Sequence, residues 1–106
     1  MLRWWDMRAR APVGSFTLDG PLGSCEMDAL GLREGSASLS VAAGKHVYFF
    51  ESDRPAALVK KIETKYEIAS VAINGRAGKF ITGSPRDTWV RVWDLESEVE
   101  TGMFFI

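Results

Sequence analysis

Val90-Arg91-Val92-Trp93-Asp94 closes a stretch that opens at Lys79-Phe80-Ile81-Thr82-Gly83-Ser84, and it has two earlier counterparts in the chain. Val47-Tyr48-Phe49-Phe50-Glu51 and Leu2-Arg3-Trp4-Trp5-Asp6 share its form, an apolar-rich run closed by an acid. Measured on the aromatic before the acid, Phe50 follows Trp5 by 45 residues and Trp93 follows Phe50 by 43. Recurrence at a period of roughly 20–50 residues marks a chain built by repeating one supersecondary unit. The signature positions of the repeat are Trp5, Asp6, Phe50, Glu51, Trp93 and Asp94, with Asp87 as the turn acid of the last cycle.

The intervals divide into short strands. Ala11 to Leu18 reads as an outer strand, and Pro12 is tolerable on an edge that need not donate every N–H. After the Asp19-Gly20-Pro21 turn, Ser24 to Leu30 reads as an inner strand, Gly31 to Gly35 as a polar loop, and Ser38 to Ala43 as a second inner strand of small residues. Gly44-Lys45 turns into His46 to Ser52; Asp53-Arg54-Pro55 turns again, and Leu58 to Ile62 completes the cycle. The next cycle reads Ile68 to Ile73, Phe80 to Ser84, Trp89 to Leu95 and Val99 to Phe105, with Ala69, Val71 and Ile73 on one face of its first strand. Even spacing and Gly, Pro and Asp turns predict an all-β meander. Pro55 to Ile62 could begin a helix at its proline, but the repeat register places a strand there.

Composition bounds the function. At 106 residues, with 46% apolar and 25% charged side chains, the chain has the make-up of one soluble domain. A net charge of −1 offers no broad basic field, so direct nucleic-acid binding is not expected. No apolar run approaches the roughly 20 residues of a membrane span, and the residues after Met1 do not read as a secretory signal. The single Cys25 excludes an internal disulfide framework and suits a reducing compartment, so the cytoplasm, with the nucleus beside it, is the expected location.

The stretches Leu39-Ser40-Val41-Ala42-Ala43-Gly44-Lys45, Val47-Tyr48-Phe49-Phe50, Ile68-Ala69-Ser70-Val71-Ala72 and Lys79 to Asp94 resemble the WD-repeat β-propeller family. Within it they resemble the branch of the serine-threonine kinase receptor-associated proteins, over Leu2 to about Glu98. The i subunits of translation initiation factor three share that style of repeat. The resemblance implies an all-β fold of about two and a half four-stranded antiparallel blades. Residues 1–18 would be a half blade of two outer strands, 19–63 a first complete blade and 64–106 a second. It implies a fragment from the later part of a seven-bladed ring, acting as a non-catalytic protein-interaction scaffold. The implied partners are proteins of a multiprotein assembly, the survival-of-motor-neuron complex of spliceosomal snRNP assembly, with a further link to receptor-kinase signalling. The alternative is an RNA-contacting ribonucleoprotein or translation-initiation module. Family repeats carry Gly-His before the innermost strand; here Thr64 to Glu67 and Leu22-Gly23 stand in that place, so the polar network to Asp87 and Trp93 is incomplete.

No catalytic set is legible. His46 is the only histidine and Cys25 the only cysteine, so metal sites and nucleophile-base pairs lack partners; no cofactor or metal is expected, and the chain does not read as an enzyme. Gly14, Gly20, Gly23 and Gly31 lack phosphate-loop spacing. Trp5, Phe50 and Trp93 are expected between packed blades, with Trp93 against Phe50; Trp4, Phe49 and Trp89 are open between core and surface. Arg8, Arg10, Arg54, Lys60, Lys61, Lys65, Arg76 and Arg86 read as scattered solvated charge. Propeller rims, being made of turns, carry contacts, and Asp53, Arg54, Arg86 and Asp87 are the candidate partner-binding rim. Two and a half blades cannot close a ring, so uncovered faces near Trp4 or Trp5 and near Phe104 or Phe105 predict self-association.

Overall fold

Phe49 and Phe50 are neighbours in the chain and both fully buried, which in a strand of alternating side chains requires cover on both faces. The fold provides it by stacking three sheets. The computed structural model describes residues 1–28, 37–51, 54–86 and 89–105. It holds ten strands and, among the described residues, no helix.

Sheet one pairs β1 (Leu2–Asp6) with β2 (Ala11–Phe16). Sheet two runs β3 (Leu22–Asp28), β4 (Ser38–Ala43), β5 (His46–Glu51) and β6 (Leu58–Glu63) in chain order. Sheet three repeats that order with β7 (Ser70–Asn74), β8 (Lys79–Gly83), β9 (Trp89–Asp94) and β10 (Glu100–Phe105). Every pairing is antiparallel. Phe49 faces Lys60 in the register and Phe80 faces Trp93. Strand ends differ from the sequence reading by a residue or two at most sites. At β7 the difference has a consequence: Ile68 and Ala69 precede the strand, so Ile68 is buried and Ala69, expected on the apolar face, is exposed. The Gly31 to Gly35 loop, Asp53 and Asp87 lie outside the described residues.

Hydropathy period follows sheet position. Sheet two lies between the others, so β5 reads Val47-Tyr48-Phe49-Phe50 as one continuous apolar run, all buried. In sheet three β7 and β8 alternate instead, with Val71, Ile73, Phe80 and Thr82 buried and Ile81 exposed, the pattern of a sheet covered on one face.

Two separate core layers result. Val41, Ala43, Tyr48 and Phe50 face sheet one and meet Leu2, Trp4, Phe16, Leu18 and Leu39. Trp4 and Phe16 stand edge-on to Phe50 with centroids at 5.1 and 5.2 Å. On the other face Ala42, Val47, Phe49 and Ile62 meet Ile68, Val71, Ile73, Phe80 and Trp93. Phe49 is edge-on to Phe80 at 5.1 Å, and Phe80 stacks on Trp93 at 6.0 Å with planes 6° apart. Such ring pairs add about 0.5–1.5 kcal/mol each beyond area burial. Trp93 is therefore buried against the preceding sheet, but through the Phe49 layer; Phe50 points the opposite way, a correction that strand parity forces. Trp5 is a second correction. It occupies the position equivalent to Phe50 and Trp93 yet is 55% exposed, because it turns away from sheet two while Trp4 turns toward it.

Two glycines set the spacing. A Cβ on Gly23 would come within 2.8–2.9 Å of the carbonyl oxygens of Ile68 and Ala69, so a bare backbone lets β3 approach the start of β7. Gly44 holds φ of 58° at the first position of the two-residue β4–β5 hairpin, as a type II′ turn requires.

Two of the signature acids, Asp6 and Asp94, are turn caps. Asp6 Oδ1 accepts from the N–H groups of Arg8 and Ala9, and the Arg10 N–H reaches the Asp6 carbonyl with φ of 54° at Arg10. Asp94 repeats this with Ser97 and Glu98, and φ at Glu98 is 63°. After Glu51 the corresponding position is Pro55, whose ring forbids positive φ; the left-handed residue moves on to Ala56, at φ 63°. Asp6 and Asp94 thus close their strands with a side chain that caps the turn that follows.

Candidate partner-binding rim

Antiparallel meanders put successive turns at alternate ends of the stack. The Gly44-Lys45 turn shares its end with the segments that lead into sheets two and three. The Gly44 N–H donates to the Pro21 carbonyl at 3.0 Å, Ile68 N–H donates to the Gly44 carbonyl at 2.8 Å, and Thr64 N–H to the Lys45 carbonyl at 2.8 Å. The turn that carries Ser84, Pro85 and Arg86 lies at this end too, tied by Ala69 N–H to the Gly83 carbonyl. The turn after Glu51, with Arg54, lies at the other end.

Arg54 and Arg86, paired in the sequence reading as rim residues, therefore stand on opposite rims. A strand of five or six residues separates them by roughly 17–20 Å. Both are exposed, and they stand at opposite ends of the stack. Their expected companions Asp53 and Asp87 fall outside the described residues.

The rim bearing Arg86 is the better-formed surface. Its centre is the connection from Thr64 to Ile68. The Thr64 hydroxyl, 7% exposed, donates toward the Tyr66 carbonyl at 2.8 Å and accepts from the Tyr66 N–H at 3.1 Å, fixing the loop as a local turn. Tyr66 is thereby laid over Arg91, whose guanidinium carbon sits 3.5 Å from the ring centroid. Arg91 is 4% exposed and its Nε lies 3.2 Å from Glu100 Oε1, so a charge within the sheet interface is held by a carboxylate and an aromatic face. Behind it the Trp93 indole N–H donates to Thr82 Oγ1 at 2.9 Å.

Three shallow clefts meet around this connection. One of about 440 Å³ is lined by Glu63, Thr64, Lys65, Tyr66, Trp93 and Glu100. A second, about 310 Å³, is bounded by Lys45, Lys65, Tyr66, Glu67, Ser84 and Arg86. A third, about 280 Å³, runs from Pro21 and Gly23 to Pro85. Arg86 Nε binds Glu67 Oε2 at 2.8 Å. The hydrogen bond and the charge of Arg86 hold the Glu67 carboxyl below its ordinary value, and Glu67 raises Arg86 in turn. Both are solvent-facing, so the pair orients side chains more than it stabilises the fold.

Sequence reasoning missed the Thr64-Tyr66-Arg91-Glu100 arrangement. One signal was present: Arg91 shares strand parity with Trp89 and Trp93, an arginine on an aromatic face. It also placed Lys60 and Lys61 among scattered solvated charges, and both are engaged. Lys60 Nζ donates to the Leu95 carbonyl at 2.5 Å and the Glu96 carbonyl at 3.2 Å, clamping β6 to the turn after β9. Lys61 pairs with Asp19, lowering the Asp19 carboxyl from its ordinary value while its own amine is raised.

The remaining candidates do not converge. His46 is half-buried on β5, beside the Tyr48 ring at 6.1 Å, and Cys25 is exposed on β3. Among the described residues no three His, Cys, Asp or Glu side chains gather as a metal site would need, and no helix is long and apolar enough to cross a membrane. The arrangement offers a broad, shallow, mixed-charge surface with an aromatic at its centre, suited to a macromolecular face more than to a small molecule. No protein-family model matches the chain, and no curated protein matches it.

Proposed function

We propose that the chain is about two and a half blades of a WD-repeat β-propeller and serves as a non-catalytic protein-interaction scaffold. One observation carries this reading. Phe50 and Trp93, 43 residues apart, occupy equivalent strand positions, and each is buried against the sheet that precedes its own. A unit that stacks on its predecessor in the same sense each time generates a radial or linear array. The repeat length and turn chemistry favour the radial one.

On this reading the partner meets the rim around Tyr66, with Lys45, Lys65 and Arg86 supplying cations and Glu67 an acid. The resemblance to the serine-threonine kinase receptor-associated proteins suggests components of the survival-of-motor-neuron assembly as partners. The test is binding of purified assembly proteins to the chain and to its Tyr66→Ala and Arg86→Glu variants. Tyr66→Ala should weaken binding at least tenfold, as truncation of a central interface aromatic does at about 2 kcal/mol or more. Arg54→Glu, on the far rim, should leave it unchanged. Equal loss with Arg54→Glu, or capture of RNA alone with steep salt dependence, would replace the proposal with the RNA-contacting alternative.

A further inference from the structure

We infer that the cleft between the Gly44-Lys45 turn and the turn carrying Ser84, Pro85 and Arg86 is a carboxylate subsite, taken by an acidic residue of the partner in exchange for Glu67. The inference rests on the reading of this rim as the partner surface and adds the chemistry that the partner presents to it. Charge is the first observation. Lys45, Lys65 and Arg86 reach the cleft from three separate segments: the β4–β5 turn, the connection out of β6 and the turn after β8. All three are exposed. Among the described residues that line the cleft, Glu67 is the one acid, although the chain as a whole carries a net charge of −1. A local excess of cations on a chain without a broad basic field is complementary to a compact anionic group.

Glu67 shows which anionic group fits. Its Oε2 accepts from Arg86 Nε at 2.8 Å, and its carboxyl is lowered first by that hydrogen bond, then by the charge of Arg86, with Lys45 adding to it. A carboxylate therefore already sits in the field of two of the three cations. The hold is loose: the Arg86 side chain is 79% exposed and that of Glu67 43%, and an ion pair so open to water contributes little. A carboxylate from outside can replace it, and Glu67 then turns to solvent. The neighbouring cleft fixes the class of ligand. It shares Lys45 and Glu67 with the first and continues over Pro21, Leu22, Ala69 and Pro85, all exposed. An acid in the one and an aliphatic side chain in the other lie side by side, which fits a polypeptide with Glu or Asp next to Leu or Val. A nucleic-acid backbone offers the charge without the aliphatic group.

The experiment titrates two synthetic peptides with blocked termini, Gly-Leu-Glu-Leu-Gly and Gly-Leu-Gln-Leu-Gly, into the full chain while backbone amide shifts are followed by NMR. Saturable shifts centred on Lys45, Lys65, Glu67 and Arg86 are expected with the Glu peptide, which should bind about fivefold more tightly than the Gln peptide. Glu67→Gln removes the internal competitor and should tighten the Glu peptide about threefold. Arg86→Gln should erase the difference between the two peptides. Both positions face solvent, so the fold stands in either variant. Unchanged or weaker binding by Glu67→Gln, equal affinity for the two peptides, or shifts centred on Arg54 would each overturn the subsite. If purified assembly proteins bind through Tyr66 yet respond to neither Glu67→Gln nor Arg86→Gln, the rim stands as the partner surface and the carboxylate exchange falls. Inorganic phosphate that shifts the same residues while the Glu peptide does not would make the cleft a phosphate site and overturn the carboxylate assignment. Dimerisation of the unliganded chain that Arg86→Gln abolishes would name a second copy as occupant and overturn the partner assignment.

Discussion

Removing the Trp93 hydrogen bond one partner at a time tests the interface between sheets two and three where it is most demanding. The indole is 8% exposed, stacked on Phe80, and its N–H ends on Thr82 Oγ1, itself on a residue 4% exposed. Thr82→Val keeps the shape of the side chain but leaves the indole N–H buried without an acceptor, at a cost of about 1–3 kcal/mol. Trp93→Phe removes the donor and part of the ring, stranding the hydroxyl instead. In the double variant neither group is stranded, so its destabilisation should fall short of the sum by about 1–3 kcal/mol. For comparison, Trp93→Ala should cost about 3–5 kcal/mol, a large share of the roughly 5–15 kcal/mol that holds a domain of ordinary stability. Urea unfolding followed by far-ultraviolet circular dichroism reads the chain and its four variants without depending on tryptophan emission. Additivity within about 0.3–0.5 kcal/mol, or a Trp93→Ala effect within about 0.5 kcal/mol, would refute the placement of this side chain between the sheets.

Other outcomes follow from particular contacts. Gly23→Val drives a side chain into the backbone at Ile68 and Ala69 and should cost at least about 1–3 kcal/mol in the same urea assay; an unchanged midpoint would mean that β3 and β7 do not meet there. The Asp94 carboxyl is held below its ordinary 3.8, first by the hydrogen bonds from Ser97 and then by the charge of Lys79. A lowered folded pKa contributes stability that is present above the unfolded value and lost as pH falls through the folded one. The gap between the chain and Asp94→Asn should therefore be full at neutral pH and close as pH falls through the lowered folded value; a gap that persists once the carboxyl is protonated would mean that the carboxylate is not the capping group. Trp5 and Val13, 55% and 53% exposed, leave an apolar face on sheet one. We propose that this face drives self-association, so sedimentation should show oligomers that Trp5→Lys reduces; a monomer at every concentration would contradict this.

Much of the strand order was legible because strands such as β5 and β7 carry the continuous apolar run or the alternation that their place demands, and because turns are written in Gly, Pro and acids. What sequence could not tell was which side of a doubly buried strand each aromatic takes relative to which neighbour. Phe49 and Phe50 are equally apolar, and only the sheet stacking assigns one to Phe80 and the other to Trp4. Trp5 shows the same limit from the other side, since the residue type is that of a core position while its face is open. The rim was legible only as a list of turn charges. That Arg54 and Arg86 sit at opposite ends follows from meander direction, and that Tyr66 covers Arg91 follows from a contact between a loop and a strand roughly 25 residues apart, which no local pattern encodes.

The claim on which everything else depends is that sheet two is packed on both faces, with Phe49 and Phe50 pointing into different layers. Ring-proton nuclear Overhauser contacts measure this directly. The account predicts contacts from Phe49 to Phe80 and from Phe50 to Trp4 and Phe16, with none from Phe50 to Phe80 or Trp93. Contacts from both phenylalanines to the same layer, or from Phe50 to Trp93, would contradict it.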